Sequence, residues 1–454
     1  MDYQYIDEIV KQLLSNTFSV FCGAGAVFDA TNTTWKDIFS DETKKFIDKK
    51  ICDDIYLLAD FEKRYYNCDN FYKNIKNKIT NNNAESKHIK CILNLNLNQI
   101  WTTNFDEIIE KMIKKEFKIM PSVFSSSMDF LRKDINQNFL VYKLNGTISN
   151  KKSMILTKTD YHNYLKKQRI FFEFLKRQLV LDSFLFIGYS FKDDLVLNAL
   201  REIKTILPHK CQTHYRFLLR ENDSDKKQYY EYEKRYFKEI YNIKTIEIDD
   251  FKDIDCYIEE LHKRFSNYNV LICGSFRSID NNERYHIEML VDKLCESLFR
   301  NNFNIYSGHG RGLGDIVLAR AFLHMKKSNN KFVNRPLIFT GDKNKEKELK
   351  NDLIIKDCNT MIIICGQDKT LSASKNVINQ FEKFANQDNK LIIPIPTTGY
   401  AAKEIFESEK FKNSYFYKSF KDDFKRLENN YDIKNISNIV TNLILRTRKE
   451  PDTI

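Results

Sequence analysis

Glycine is scarce in this 454-residue chain: there are 12, about a third of the roughly 7% usual in globular proteins. A lysine- and asparagine-rich chain that avoids glycine keeps it where the backbone must turn tightly or let a ligand approach closely. Ten cysteines are present, but none forms a C-x-x-C pair. That spacing excludes a zinc ribbon and gives no disulfide framework, as expected of a reducing cytosol. No run approaches the ~18 apolar residues of a spanning helix, and the opening M-D-Y-Q-Y-I-D-E-I-V is acidic and mixed, unlike a signal peptide. A soluble, cytoplasmic protein with no membrane partner is expected. No basic block is interleaved with aromatics, so nucleic acid is not the expected partner. No short-period repeat and no low-complexity linker occur. A hydrophobic content of 42% with 13% aromatics excludes a disordered chain.

The length implies two or three domains, each able to bury a core. Lysine plus arginine exceed acids by 73 to 62, a net charge of +11. That excess serves solubility, with some cations left over for an anionic ligand. Strands are predicted at 18–22, 99–103, 139–144, 183–188 and 244–248. Helices fall at 3–15, along a charged stretch at 41–78, at 106–117, from about 193, and at 229–241. After S-N-Y-N at 266–269 the pattern restarts with strands at 269–273, 303–307, 336–340, 360–365 and 391–395. Helices alternate with them near 283–300, 313–327, 374–387, 400–408 and 433–447. The last of these has apolar residues at helical spacing, suited to packing on the core or on a partner. The alternation predicts an α/β fold of two Rossmann-like parallel-sheet domains, 1–267 and 268–454.

The glycines lie mostly at strand-to-helix junctions, where such folds bind phosphates. F-C-G-A-G-A places Gly23, Ala24 and Gly25 directly after a strand, and W-T-T-N-F-D places Thr103, Asn104 and Asp106 after the next. The glycine turn is either structural or a cradle for a pyrophosphate. Asp106 is either a pocket carboxylate or the cap of the helix that starts there. K-L-N-G carries Asn145 and Gly146, and G-Y-S-F-K-D-D carries Gly188 and Ser190. Of the eight histidines, only His162 and His309 sit near motifs, and a surface or supporting role is expected of each.

In that order and spacing these motifs resemble the sirtuin fold, in its prokaryotic NAD-consuming branch, over about residues 10–265. The resemblance implies that the turn at Gly23, Ala24 and Gly25 holds the pyrophosphate of NAD+. It further implies that Thr103, Gly188 and Ser190 face the dinucleotide and that Asn104 and Asp106 belong to the catalytic pocket. NAD+ is then the substrate, and no metal is expected. The missing four-cysteine ribbon argues against a protein deacylase and for a NAD glycohydrolase. Nicotinamide leaves from an already cationic ring, so the site must hold the ribose, shelter an oxocarbenium-like cation and admit water. The family carries a histidine base in its K-[LMI]-H-G motif, where this chain has Asn145. A carboxamide takes up no proton near neutral pH. Either this variant is impaired, or it works through Asn104, Asn145 and an ordered water.

The second half carries L-I-C-G-S, with Gly274 and Ser275, and Y-S-G-H-G-R-G-L-G-D, with Gly310, Arg311 and Gly312. Alternate glycines opening a helix make an anion nest, and Arg311 adds charge. With P-T-T-G-Y at 396–400, these resemble the SLOG nucleotide-sensing domain, related to phosphoribohydrolases, over about 268–450. The catalytic relatives' P-G-G-x-G-T-x-x-E is absent, and the chain reads G-Q-D-K-T there, so a sensor is expected rather than a second enzyme. A sirtuin-like domain followed by SLOG resembles the effector family of the Thoeris anti-phage system. That resemblance implies activation by a cyclic ADP-ribose isomer made by a partner TIR-domain protein, and homo-tetramers that assemble into filaments. It also implies ligand contacts from Lys356 and Lys375. A catalytically silent nucleotide-binding sensor or scaffold is the alternative that Asn145 leaves open.

Overall fold

The computed structural model describes residues 3–65, 68–79, 85–95, 97–132, 139–192, 194–208, 211–308, 310–325, 332–333 and 343–449. The chain divides into two compact units, Met1–His262 and Lys263–Ile454. The first is built on a seven-stranded sheet: β1 Phe18–Cys22, β2 Gln99–Thr102, β3 Ser122–Phe124, β4 Leu140–Lys143, β5 Ser183–Ile187, β6 His214–Leu219 and β7 Ile243–Ile248, in the order β3-β4-β2-β1-β5-β6-β7. Every pairing is parallel. F-S-V-F-C in β1 and S-F-L-F-I in β5 are buried at every position, as strands covered on both faces must be. Trp101, fully buried, stacks on Tyr142 with ring centroids 4.3 Å apart, and Phe184 and Phe186 extend this aromatic core.

The order reverses at β1. One connection leaves it toward β2, and the chain later returns to pair β5 on the other side. Open parallel sheets bind ligands beyond the carboxyl ends of strands at such a reversal. The charged stretch predicted as one helix at 41–78 is three: Asp41–Asp48, Ile55–Tyr65 and Cys68–Ile79. Lys50, with φ 54°, turns the backbone left-handed after the first and ends it. Among the described residues of this unit two strands were not predicted, β3 and β6.

The second unit holds a five-stranded parallel sheet of β8 Asn269–Ser275, β9 Asn304–Ser307, β10 Phe332–Val333, β11 Thr360–Cys365 and β12 Leu391–Ile395, ordered β10-β9-β8-β11-β12. Its reversal lies between β8 and β11. Pro394 is accommodated because β12 is an edge strand. The final helix, Ile433–Lys449, buries Ile436, Val440 and Leu443 in this unit's core, and Ser297 and Thr441 hydroxyls meet at 2.8 Å. The strand expected at 336–340, with Gly341 after it, lies outside the described residues, as does His309.

Candidate functional site

In the first unit two strand-end turns interlock. The Gly23 N–H donates to the Ile187 carbonyl at 2.8 Å, and the Gly25 N–H donates to the Gly188 carbonyl at 3.0 Å. A Cβ on Gly23 would stand 2.4 Å from the Gly188 oxygen, and one on Gly188 (φ +62°) 2.1 Å from the Ala26 nitrogen. Side chains are excluded on both sides, so bare backbone forms the wall. From β2, the Thr102 hydroxyl donates to the Cys22 carbonyl at 2.8 Å and accepts from the Asn104 N–H at 2.9 Å. Asn104 Nδ2 then donates to the Gly23 carbonyl at 3.0 Å, which leaves the side-chain carbonyl oxygen of Asn104 for a ligand. Burial first, then the Asp106 carboxylate, push the Cys22 thiol far above its ordinary range, so it is no nucleophile here.

A cleft of about 920 Å³ opens over this crossing, and Ala24, Gly25, Thr103, Asn145, Gly188 and Ser190 all line it. Beside it lies a recess of about 50 Å³ lined by Asn104 and Asp106, and the two spaces share Ala24, Thr33, Thr34 and Thr103. Asp106 Oδ1 accepts the Ile108 N–H at 3.0 Å, at the start of the helix Ile108–Phe117. The buried Lys143 ammonium donates to the Asp106 carbonyl and to Glu110 Oε1, the latter at 2.7 Å. Burial raises the Glu110 pKa while Lys143 opposes the shift. Asn145, 1% exposed, donates from Nδ2 to the Tyr161 hydroxyl at 2.9 Å, and its Oδ1 has no partner among the described residues.

Several lining residues were not found by sequence reasoning: Thr33, Thr34, Tyr56, Lys158 and Tyr161. They come from loops and short helices, where no periodicity marks them. The strongest available signal was the polar cluster T-K-T-D-Y just after K-L-N-G. Lys158 pairs with Asp54 at 2.5 Å on the rim. His162 is exposed. Among the described residues no group of three or more His, Cys, Asp or Glu is placed to hold a metal ion, and no helix is long and apolar enough to cross a membrane.

In the second unit, Gly274 (φ +155°) would drive a Cβ to 1.9 Å from the Ile364 oxygen, and Gly310 would drive one to 1.7 Å from the Gly274 oxygen. Here too glycine lets backbone meet backbone. Gln367, 2% exposed, accepts the Arg277 and Ser278 N–H groups at 2.9 and 3.0 Å, and Ser275 Oγ donates to its carbonyl at 3.0 Å. A hollow of about 330 Å³ results, lined by Gly274, Ser275, Gly310 and Arg311 together with Ser374 and Asn376 at the start of the helix Lys375–Ala385. A neighbouring groove of about 720 Å³ takes Gly312, Arg284 and Arg320, and Arg277 and Arg311 line both. Arg284 and Arg320 pair with Glu288 at 3.1 and 3.5 Å. The Arg277 and Arg311 guanidiniums have no partner among the described residues.

Two residues expected to contact the ligand, Lys356 and Lys375, line neither hollow. Lys356 is exposed at the end of the helix Lys343–Asp357, which runs back to the start of β11, so it sits away from the glycine turns. Asn351, five residues earlier, lines the hollow instead. Lys375 is exposed, and its neighbours Ser374 and Asn376 do the lining. Gly399 lines neither hollow and caps the helix Tyr400–Glu407 with φ +76°.

Comparison with known proteins agrees with this two-part architecture. A family model described as a SIR2-like domain matches residues 98–246, and one described as a Sir2- and TIR-associating SLOG family matches residues 253–447. The NAD(+) hydrolase ThsA of Enterococcus faecium is 27% identical over 448 residues, covering 90% of this chain and 91% of the relative. The protein of the same name from Acinetobacter baumannii (strain 532279) is 26% identical, covering 94% and 95%, and that from Bacillus cereus (strain MSX-D12) is 24% identical, covering 90% of each. The chain is thus ThsA-like, a SIR2-like domain followed by a SLOG-family domain.

Proposed function

We propose that the protein is a NAD+ glycohydrolase, the effector of a Thoeris-type bacterial anti-phage defence, which depletes NAD+ in the cytoplasm when a cyclic ADP-ribose isomer binds its SLOG unit. The observation that carries the catalytic half is the crossing of two glycine turns above a cleft whose inner recess holds Asn104 and Asp106. Bare backbone at Gly25 and Gly188, both of which line the cleft, suits close approach of a pyrophosphate. The large cleft has room for a dinucleotide, and the recess beside it sets the reacting end apart.

In the reaction the bond between ribose C1′ and the nicotinamide nitrogen breaks, and its electron pair neutralises the pyridinium. Positive charge passes to the ribose, where the Asn104 carbonyl dipole and the Asp106 carboxylate are placed to stabilise it. A water oxygen then bonds to C1′ and releases its proton to solvent. Because the leaving group is neutral, a strong base is not essential, and Asn145 serves by holding a hydroxyl.

The regulatory half rests on Arg277 and Arg311, unpaired beside a backbone nest and a helix N-terminus, a setting that favours an anionic nucleotide. A TIR-domain protein as the source of the signal is supported by the match of residues 253–447 to a SLOG family that associates with Sir2 and TIR domains. Homo-tetramers and filaments complete the proposal. A silent nucleotide-binding sensor is the second reading, favoured by the non-titrating side chain of Asn145.

The full chain incubated with NAD+, with and without cyclic ADP-ribose isomers, separates the two. Ligand-stimulated nicotinamide release supports the hydrolase. Release only from Asn145→His identifies an impaired enzyme, and silence from both forms despite ligand binding overturns the hydrolase reading.

A further inference from the structure

We propose that Tyr161, with Tyr56 behind it, is a positioning residue that fixes Asn145 as a hydrogen-bond acceptor for a ribose hydroxyl of the bound dinucleotide. The inference rests on the cleft's being a NAD+ site, and goes beyond it by assigning how a non-titrating residue does its work there.

The backbone around Asn145 is tied down on both sides. Its carbonyl accepts the Ile155 N–H at 2.9 Å, and the next residue, Gly146, has φ +82° and would press a Cβ to 2.2 Å from the Ser153 oxygen. The side chain is buried, so what its amide meets is set by the groups packed around it. Nδ2 is spent on the Tyr161 hydroxyl at 2.9 Å, and that hydroxyl donates onward to Tyr56 at 3.4 Å, with the two rings 4.4 Å apart. A phenol has one proton to give. With that proton committed to Tyr56, the Tyr161 oxygen faces Asn145 as an acceptor. Turning the amide over would set its carbonyl against that oxygen, so the tyrosine pair selects one amide orientation.

The orientation leaves Oδ1 buried without a partner. A buried carbonyl left unpaired is costly, and such groups in native proteins usually await a water or a ligand. Asn145, Tyr56 and Tyr161 all line the large cleft, so what reaches Oδ1 comes from there. Oδ1 can only accept, so the incoming group must be a donor. On a dinucleotide such as NAD+ a ribose hydroxyl is the donor suited to this place, whereas phosphates only accept.

The test uses the full chain and two probes, ADP-ribose and ADP, which differ by the second ribose. By calorimetry, Asn145→Ala and Tyr161→Phe should each weaken ADP-ribose about tenfold, the scale of one hydrogen bond. ADP affinity should not change. The double variant should be no weaker than Asn145→Ala alone, because the tyrosine acts only through the asparagine. Nicotinamide release should show the loss in KM, with kcat within about threefold of the parent. ADP-ribose affinity at the parental value in Tyr161→Phe, or losses that multiply in the double variant, overturns the proposal. So does equal weakening of ADP. A chain that releases no nicotinamide defeats the hydrolase reading alone, since the ADP-ribose affinities still decide the role of Tyr161. A parental chain that binds no ADP-ribose defeats both.

Discussion

The Gly25 N–H donates to the Gly188 carbonyl at 3.0 Å, joining the turn after β1 to the turn after β5. The pair is what makes the sheet's reversal a binding wall, because neither turn can carry a side chain toward the other. Gly188→Ala tests this directly. The new Cβ would lie 2.1 Å from the Ala26 nitrogen, and φ +62° adds about 1–2 kcal/mol of strain. Both turns must shift, so NAD+ turnover should be lost and the first unit destabilised by at least about 2 kcal/mol. Both tryptophans, Trp35 and Trp101, lie in that unit, so their fluorescence during urea unfolding reports it selectively.

Asn104 is expected to matter for rate far more than for stability. Its Nδ2 bond to the Gly23 carbonyl is one neutral hydrogen bond, and Asn104→Ala should cost only about 1 kcal/mol in unfolding. The same change removes a fixed dipole from the recess where the proposed mechanism develops positive charge. Loss of a preorganised group of this kind lowers kcat by about 10²–10³. Paired measurements of nicotinamide release and urea unfolding check the split. A stability loss as large as the rate loss would show Asn104 to be only a brace.

What the sequence revealed and what it hid have physical causes. Strands β1, β5, β8 and β11 are apolar runs ending at or beside a glycine turn, so both strand and turn are legible from neighbouring residues. H-Y-R-F-L-L in β6 was not, because its polar residues are buried with partners from other elements. Arg216 pairs with Glu233 at 2.7 Å and lies 3.7 Å over the Phe237 ring. The site divides the same way. Glycine turns and Asn104 follow strands directly, whereas Tyr56 and Tyr161 are 105 residues apart and meet only in the fold. Lys356 and Lys375 rest on resemblance alone, and both are exposed residues that line neither hollow.

His214 should make the first unit acid-sensitive. It is fully buried in β6, its Nδ1 accepts the Phe184 N–H at 3.1 Å, and burial pushes its pKa down from 6.5 to about 3. Below its ordinary pKa the unfolded chain takes up a proton that the folded chain refuses. The stability that the neutral ring supplies is therefore full above pH ~6.5 and falls by about 1.4 kcal/mol per unit as pH drops toward 3. His88 works in the other direction. Asp255 raises its pKa, so its contribution is present below ~6.5 and lost as pH rises through the folded value. His214→Asn keeps an acceptor near Nδ1 but cannot titrate. Between about pH 6 and 4.5 the parent should lose about 2 kcal/mol more than this variant. Parallel pH curves from tryptophan fluorescence would contradict the assignment.

In the second unit, the guanidiniums of Arg277 and Arg311, unpaired among the described residues, lie where the smaller hollow meets the larger groove. A guanidinium with no carboxylate partner has nothing to give up when an anion arrives, unlike Arg284 and Arg320, which are tied to Glu288. Arg311→Ala and Arg277→Ala should each weaken a cyclic ADP-ribose isomer about tenfold, the scale of one charge-assisted hydrogen bond. Part of that binding should disappear as salt is raised, since both arginines are exposed and screened. Lys356→Ala should leave affinity unchanged, because that side chain is at the other end of its helix from the glycine turns. Calorimetry at two salt concentrations decides the matter. Parental affinity in Arg311→Ala, or a tenfold loss in Lys356→Ala, would move the ligand out of the nest formed by Gly274, Gly310 and Ser275.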